Sequence, residues 1–241
     1  MSVRQIIKLW ANRGLKKIGL RLYSFRVHGR EDIADLLRSG CQFNVIFDVG
    51  ANIGQSVRKF RHAFPKATIY SFEPVGTVYE ALQSGVGGFG NVHLYRLALG
   101  STPCKAQISV RANNTMHTMA KVNDALYLET VDVQTVDLFC ETNRIQNVDL
   151  LKIDVEGFDL AVLQGAVEML KARKIRFILV ECGFNPDESR HSYFESVRAF
   201  LHPFGYRLFG VYEQQLEFSG EPRLRFANVC FCLQADISAS V

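Results

Sequence analysis

A regular alternation of apolar runs and amphipathic segments begins near residue 43 and constrains this chain more than any other feature. Val45–Phe47 is an uninterrupted apolar run, as expected for a parallel strand covered on both faces, and Thr68–Phe72 is predicted as a second strand. The segment between them carries an apolar stripe at helical spacing, made of Ile53, Val57, Phe60 and Phe64, and Pro65 ends it. This order predicts a parallel sheet with right-handed crossovers.

The same alternation continues to the end of the chain, with one interruption. Further strands are predicted near Val92–Leu97, Leu150–Ile153 and Ile175–Val180, with Tyr206–Tyr212 and Asn228–Leu233 as a closing antiparallel pair. Helices are indicated by three apolar stripes: Val75, Val78, Tyr79 and Leu82; Leu160, Leu163, Val167 and Leu170; Phe194, Val197 and Leu201. Residues 100–134 break the rhythm with short alternating pieces and predict an inserted antiparallel flap. The fold class is therefore α/β, a doubly wound, mostly parallel sheet of seven strands.

Charge separates the first thirty residues from the rest. They hold eight Lys or Arg residues and no acid, and Val3, Ile6, Ile7 and Trp10 recur at helical spacing. We therefore predict a basic amphipathic helix over residues 2–22, in an extension 1–30 that precedes one domain over 31–241. Three interpretations stay open for this helix: packing on its own domain or on a second subunit, adsorption to an anionic membrane, and nonspecific contact with nucleic acid.

Cysteine usage and hydropathy suggest the compartment. None of the six cysteines forms a CxxC pair, and Cys230 and Cys232 alternate along a predicted strand, so both should face the same side. This pattern favours buried thiols over disulfides or metal ligands. No apolar run approaches the roughly 18 residues of a membrane span, and no signal-peptide pattern is present. We expect a cytoplasmic protein with no bound metal, with peripheral membrane contact through residues 2–22 as an alternative.

The most distinctive motif is Asp48-Val49-Gly50-Ala51-Asn52-Ile53-Gly54, at a strand-to-helix junction. Ligands of open α/β sheets bind at the carboxyl ends of strands, where small residues allow close approach to the backbone. The GxGxxG spacing of a dinucleotide site is missing. Asp48 would also place a carboxylate at the strand tip, which suits an ammonium or sulfonium ligand better than a phosphate. A plain Asp-Gly turn is the alternative.

Glu73 ends the second predicted strand in Ser71-Phe72-Glu73-Pro74. An acid at this position can accept hydrogen bonds from both hydroxyls of a ribose. The tip of the third strand, around Ala98, offers a small apolar surface for an adenine. Together with the Gly50 loop, these residues predict a nucleoside-containing cofactor without a terminal phosphate.

Two further carboxylates, Asp154 and Glu156, follow the fourth predicted strand. They are placed to accept a proton from an attacking hydroxyl or, as a pair, to bind a cation. The alternative for Glu156 is an acid in the first turn of the next helix, where the macrodipole favours it. Glu181, at the tip of the fifth strand, is a third acid at this edge. Flap residues Asn113, Asn114 and His117 are candidates for substrate contact or for a solvated loop.

The order DVGANIG, SFEP, ALG and LLKIDVEG, followed by VLQGA, resembles the FkbM-type methyltransferases from about Phe43 to about Glu181. The resemblance implies a Rossmann-like methyltransferase sheet and S-adenosylmethionine as cofactor. It also implies that Glu73 holds the ribose and that Asp154 and Glu156 lie beside the acceptor. By the same resemblance, the cofactor loop contains Asp48, Gly50, Asn52 and Gly54.

The function predicted on this basis is O-methylation of a hydroxyl on a sugar, glycolipid or polyketide-type small molecule, with Asp154 as the first candidate base. Expected partners are this acceptor and a second copy of the chain, with no specific nucleic acid. Two alternatives remain at this point: a nicotinamide-dependent oxidoreductase, and a catalytically silent protein that binds membrane or a partner through its basic extension.

Overall fold

The computed structural model describes residues 32–110, 127–187, 190–218 and 222–234. The strands in this part of the chain are β1 (Val45–Val49), β2 (Thr68–Phe72), β3 (Val92–Tyr95), β4 (Ala98–Leu99), β5 (Cys104–Val110), β6 (Tyr127–Gln134), β7 (Val148–Ile153), β8 (Ile175–Gly183), β9 (Ser192–Tyr193), β10 (Tyr206–Glu217) and β11 (Arg223–Leu233). The α-helices are α1 (Asp32–Arg38), α2 (Gln55–Ala63), α3 (Gly76–Val86), α4 (Val136–Thr142), α5 (Asp159–Gln164), α6 (Val167–Lys171) and α7 (Phe194–Leu201).

The main sheet confirms the predicted fold class. Seven strands lie in the order β10-β11-β8-β7-β1-β2-β3, and the two-residue β9 pairs with the end of β8. The pairs between β3, β2, β1, β7 and β8 are parallel, whereas β11 runs antiparallel to both β8 and β10. The chain proceeds from β1 outward to β3 on one side and later from β7 to β8 on the other. The order of the strands therefore reverses between β1 and β7, and ligands of such sheets bind there.

Both faces of the central strands are buried, which explains their continuous apolar sequence. On one face Phe47, Leu151 and Ile178 pack into a core with α4, α5 and α7. On the other face Ile46, Leu150 and Leu179 pack against α1 and α2, together with both Cys230 and Cys232, as the alternation predicted. All six cysteines are free, and four of them are buried.

The predicted flap is present as a separate small sheet. β5 and β6 pair antiparallel, and β4 joins the other edge of β6 in parallel. Glu129 of β6 ties this sheet to the main one, since its carboxylate accepts the N–H of Gly76 at 2.9 Å and pairs with Arg96 at 2.8 Å. The flap residues Asn113, Asn114 and His117 lie outside the described residues, as does the helix predicted over residues 2–22.

Two local predictions were wrong, and α1 was missed. The third strand ends at Tyr95, and Ala98–Leu99 pairs with the flap instead of extending β3. The helix predicted from Leu160 to Leu170 is two helices that are separated at Gly165, where the backbone lies so close to the carbonyl of Gly100 that a Cβ would overlap its oxygen. No helix in the described ranges is long and apolar enough to cross a membrane.

Candidate active site

The turn after β1 lies at the point where the strand order reverses. The N–H groups of Gly50 and Ala51 both donate to the carbonyl of Phe72 at 3.0 Å, which bends the chain over the end of β2. Gly50 has a φ of 76°, and a Cβ on it would overlap the carbonyl oxygen of Asp154. Only glycine accommodates both the left-handed conformation and this contact. The turn therefore brings bare backbone to the tip of β7.

Glu73 braces the same turn from β2. Its Oε2 accepts the N–H of Asn52 at 3.1 Å, and its Oε1 accepts the N–H of Val75 at 3.0 Å. The residue is 7% exposed. Burial raises the pKa of Glu73 to about 7, against the opposing effect of the two backbone hydrogen bonds. Glu73 thus sits at the end of β2 as predicted, with each oxygen already bonded once to the backbone.

A cavity of about 250 Å³ opens beside this turn. Its apolar end is formed by side chains from β2, the β3–β4 segment and the flap, namely Phe72, Leu97, Ala98, Leu99 and Ile108. Its polar end holds four carboxylates, those of Glu73, Asp154, Glu156 and Glu181. The structure therefore brings six of the predicted site residues to one cavity: Gly50, Asn52, Glu73, Ala98, Asp154 and Glu156.

The turn after β7 orients the two predicted catalytic acids. Asp154 continues the sheet, with its N–H donating to Val49 O at 3.1 Å, and its side chain is 39% exposed. Glu156 follows in a left-handed conformation, φ 51°. Burial raises the pKa of Glu156 to about 7, and the carboxylates of Asp154 and Glu181 add to the rise. The alternative of a first-turn acid was wrong for Glu156, because α5 begins at Asp159.

Asp159 itself was missed in the sequence. It is 1% exposed, its Oδ1 accepts the N–H of Val155 at 3.2 Å, and its Oδ2 accepts the hydroxyl of Ser192 at 3.0 Å. Burial raises the pKa of Asp159 to about 6. The carboxylate thus closes the turn that presents Asp154 and Glu156. The available signal was an acid three residues after Glu156, next to a predicted helix start.

Asp48 and Gly54 do not line the cavity. The Asp48 side chain is fully buried under the Gly50 turn, with its Oδ1 3.2 Å from Lys152 Nζ. Gly54 has a φ of 87° at the start of α2, and a Cβ there would lie 2.9 Å from Val86 of α3. Gly54 allows α2 and α3 to pack closely. Asp48 lies beneath the Gly50 turn and contacts Lys152 there.

Lys152 is the second residue that the sequence analysis missed. It stands opposite Asp48 in the β1–β7 register and is 8% exposed. Burial lowers its pKa and also raises that of Asp48, but the carboxylates of Asp48 and Asp154 outweigh burial and raise the pKa of Lys152. We treat the group as ionised, because the ammonium lies between two carboxylates. A lysine inside an otherwise apolar strand was the available signal.

A second cavity, of about 230 Å³, opens on the other side of the Gly50–Asn52 turn. It shares Gly50, Asn52 and Asp154 with the first cavity. Its other polar lining residues come from α1, α2, β7 and the β10–β11 pair: Asp32, Gln55, Ser56, Lys59, Lys152, Glu213 and Asn228. The two cavities therefore form two chambers that meet at the tips of β1 and β7, and the second is lined mostly by polar residues.

The chain is similar to several known methyltransferases. The chain is 25% identical over 153 residues to the 2-O-methyltransferase NoeI of Sinorhizobium fredii, covering 57% of this chain and 62% of the relative. It is 26% identical over 196 residues to the hexuronic acid methyltransferase AglP of Haloferax volcanii, covering 78% and 72%. A solved TehB-like SAM-dependent methyltransferase from Corynebacterium glutamicum aligns at a TM-score of 0.44 and 11% identity, covering 96% and 97%.

The chain spans 57% to 72% of the length of the curated relatives that it matches. The model of the methyltransferase FkbM domain matches residues 48–208, from the tip of β1 to the start of β10. This range holds the Gly50 turn and all four carboxylates of the cavity, and it favours a methyltransferase over the nicotinamide-dependent alternative. Since the match covers more than half of the chain, the protein belongs to the FkbM methyltransferase family, for which S-adenosylmethionine is the cofactor.

Proposed function

We propose that this protein transfers a methyl group from S-adenosylmethionine to a hydroxyl group of a sugar, a glycolipid or a polyketide-type small molecule. The observation that carries the proposal is the convergence of Glu73 and Asp154 on one cavity across the Gly50 turn. In this proposal the ribose-binding acid stands at the tip of β2 and the proton acceptor at the tip of β7, on either side of the Gly50 turn that follows β1.

The residues fit the cofactor in three ways. Each oxygen of Glu73 accepts one backbone N–H and keeps a lone pair for a ribose hydroxyl. Leu97, Ala98 and Leu99 supply an apolar wall for the adenine. The polar chamber beyond the Gly50 turn suits the amino and carboxylate groups of the methionine end. When bound, the cofactor supplies a methyl group made electrophilic by its sulfonium.

Asp154 is the first candidate to accept the proton of the acceptor hydroxyl. Its carboxylate is partly exposed in the cavity and adjoins both chambers. As the oxygen–methyl bond forms and the sulfur–methyl bond breaks, the electron pair goes to sulfur and the hydroxyl proton to the carboxylate. Most of the acceleration would come from holding oxygen and methyl carbon about 3 Å apart. Glu156, with a pKa of about 7, is the second candidate acceptor of the proton.

Two relatives support a sugar hydroxyl as acceptor, since one is named a 2-O-methyltransferase and the other a hexuronic acid methyltransferase. The three acids at the polar end of the cavity, Asp154, Glu156 and Glu181, are suitable hydrogen-bond acceptors for a polyhydroxylated molecule. Contact of residues 2–22 with a membrane surface, and formation of a homo-oligomer, stay predictions.

The test is incubation with trideuteromethyl-labelled cofactor and a panel of neutral sugars, hexuronic acids and glycolipid extract, followed by mass spectrometry. NMR of labelled products should place the methyl group on an oxygen. Asp154→Asn should lose this labelling, and Asp132→Asn, which alters an exposed acid of the flap paired with Lys105, should keep it. Label on nitrogen or carbon, or no label on any compound, would contradict the proposed reaction.

A further inference from the structure

One ammonium group connects three parts of the site. Lys152 Nζ donates to the carbonyl oxygen of Gly50 at 3.1 Å and lies 3.2 Å from Asp48 Oδ1 and 3.4 Å from Asp154 Oδ2. The contact with Gly50 is a hydrogen bond, and the contacts with the two carboxylates are ion pairs. The side chain of Lys152 is 10% exposed. It is therefore held in place by the turn, the buried acid and the candidate base at once.

The register of the sheet explains this arrangement. Asp48 and Lys152 are direct partners in the parallel β1–β7 pair, and Asp154 lies two residues beyond Lys152, on the same side of its strand. Asp48 is fully buried, and within the described residues its carboxylate has no hydrogen-bond partner, so the ion pair with Lys152 is the contact that balances its charge. Asp48 thus holds the Lys152 ammonium close to the sheet, and the same ammonium also pairs with Asp154.

We propose that Lys152 is a positioning residue for the reaction: its ammonium holds the Asp154 carboxylate, in ionised form, at the tip of β7 and ties it to the Gly50 turn. The inference rests on the proposed methyl transfer and names the group that prepares its base. Lys152 need not touch either substrate, because it acts through Asp154.

The other charges around Asp154 are mostly negative, so the Lys152 ammonium is needed to offset their repulsion. Asp48 faces it from β1, Glu156 from its own turn, Glu181 from β8 and Asp159 from α5, and Glu73 of β2 is farther along the same cavity. His191 and Arg190 are close enough to act on Glu156. Four acids surround the Asp154 carboxylate, and the Lys152 ammonium, 3.4 Å away, carries the opposite charge.

The variants must separate this role from plain neutralisation of a buried acid. Lys152→Met alone leaves Asp48 buried without a counter-charge and endangers folding. The double variant Asp48→Asn/Lys152→Met removes both charges with side chains of similar size, and Asp48→Asn alone keeps the ammonium beside Asp154. Lys174→Met, which removes an exposed lysine at the amino end of β8, is the matched control. Melting temperatures and affinity for S-adenosylhomocysteine would establish that each variant is folded.

The direct measurement is a ¹³C NMR titration of aspartate carboxyls, with the Asp154 resonance assigned by its loss in Asp154→Asn. The Asp154 resonance should respond to a different pH range in the double variant than in Asp48→Asn or Lys174→Met, because only the double variant lacks the cation beside it. With an acceptor in hand, kcat of the double variant should fall about 10-fold or more relative to Asp48→Asn. The acceptor KM should stay within a few-fold.

Equal Asp154 midpoints in the double variant and in Asp48→Asn would overturn the inference, whatever the activity. Wild-type-like kcat in the double variant would also overturn it and leave Lys152 as the counter-ion of Asp48. The titration needs no acceptor. If the wild-type protein methylates no compound, the proposed function is contradicted. A shifted midpoint in the double variant would still support the effect of Lys152 on Asp154.

Discussion

Replacing Glu73 by alanine tests the cofactor site most directly. The wild-type carboxylate binds two backbone N–H groups, those of Asn52 and Val75, and keeps its remaining lone pairs for the ribose. Alanine removes the carboxylate from a residue that is only 7% exposed and leaves both N–H groups without this partner. The change therefore affects the ligand contact and the shape of the turn together.

The expected loss of cofactor affinity is roughly 2–3 kcal/mol. A hydrogen bond to a charged group contributes about 1.5–3 kcal/mol, and two ribose hydroxyls can bind Glu73. The binding free energy that these hydrogen bonds contribute is smaller at pH 7. The carboxyl of Glu73 has a pKa of about 7 before the cofactor binds, and it must lose its proton when the ribose hydroxyls donate to it. The dissociation constant should rise by about 30- to 150-fold.

The same pKa gives the site a pH dependence whose sign follows from linkage. Donation by the ribose favours the ionised carboxylate, so binding lowers the pKa of Glu73 below its free value of about 7 and releases protons near neutrality. Wild-type affinity for S-adenosylhomocysteine should therefore increase as the pH rises from about 6 to 8. Glu73→Ala should lose this dependence.

Isothermal titration calorimetry with S-adenosylmethionine and S-adenosylhomocysteine, in buffers of different ionisation enthalpy, measures both effects. Glu80→Ala removes an exposed acid from α3 and is the matched control. Both ligands carry the same ribose, so both should weaken equally. Unchanged affinity for the two ligands in Glu73→Ala would refute the placement of the ribose at the tip of β2.

Four further predictions concern the rest of the chain. Asp154→Asn should lower turnover about 100-fold or more, with the S-adenosylhomocysteine dissociation constant changed less than about threefold; near-normal turnover would leave Asp154 a structural acid. Gly50→Ala should abolish cofactor binding and lower the melting temperature, because its Cβ would overlap the Asp154 carbonyl, whereas Gly88→Ala, in open space, should do neither. Since Glu156 has a pKa of about 7, Glu156→Gln should flatten any rise of the rate between about pH 6 and 8, and an unchanged profile would exclude Glu156 as its source. Deletion of residues 1–30 should leave calorimetric cofactor binding intact, since every motif invoked lies beyond it; lost binding would place part of the site in the extension.

The centre of the sheet was predictable because its strands are buried on both faces. β2 occupies the predicted Thr68–Phe72, and β10 and β11 include the predicted closing pair. The helix break at Gly165 was not predictable, since the apolar stripe runs on past it and its close contact is with the carbonyl of Gly100, 65 residues earlier. A local pattern records which face is buried and carries no record of a distant backbone contact.

The candidate site shows the same division. Glu73 and Asp154 were located because they end predicted strands, and parallel strands end at one edge. Asp48 looked equally accessible in the sequence, yet it lies beneath the turn that follows it. Lys152 escaped notice because two of its partners, Asp48 and Gly50, are set by the β1–β7 pairing, which joins residues about a hundred positions apart. Pairing register, rather than motif, decides which of these charges meet.

The position of β11 has a consequence for how the chain folds during synthesis. β8, which carries Glu181, gains its second long neighbour only from residues 223–233, and β10 is bonded to the sheet solely through β11 among the described strands. Until those residues leave the ribosome, one edge of β8 presents unpaired backbone groups to other nascent chains. Premature termination before residue 223 should therefore produce insoluble protein, even though each acid of the proposed active site has already been translated.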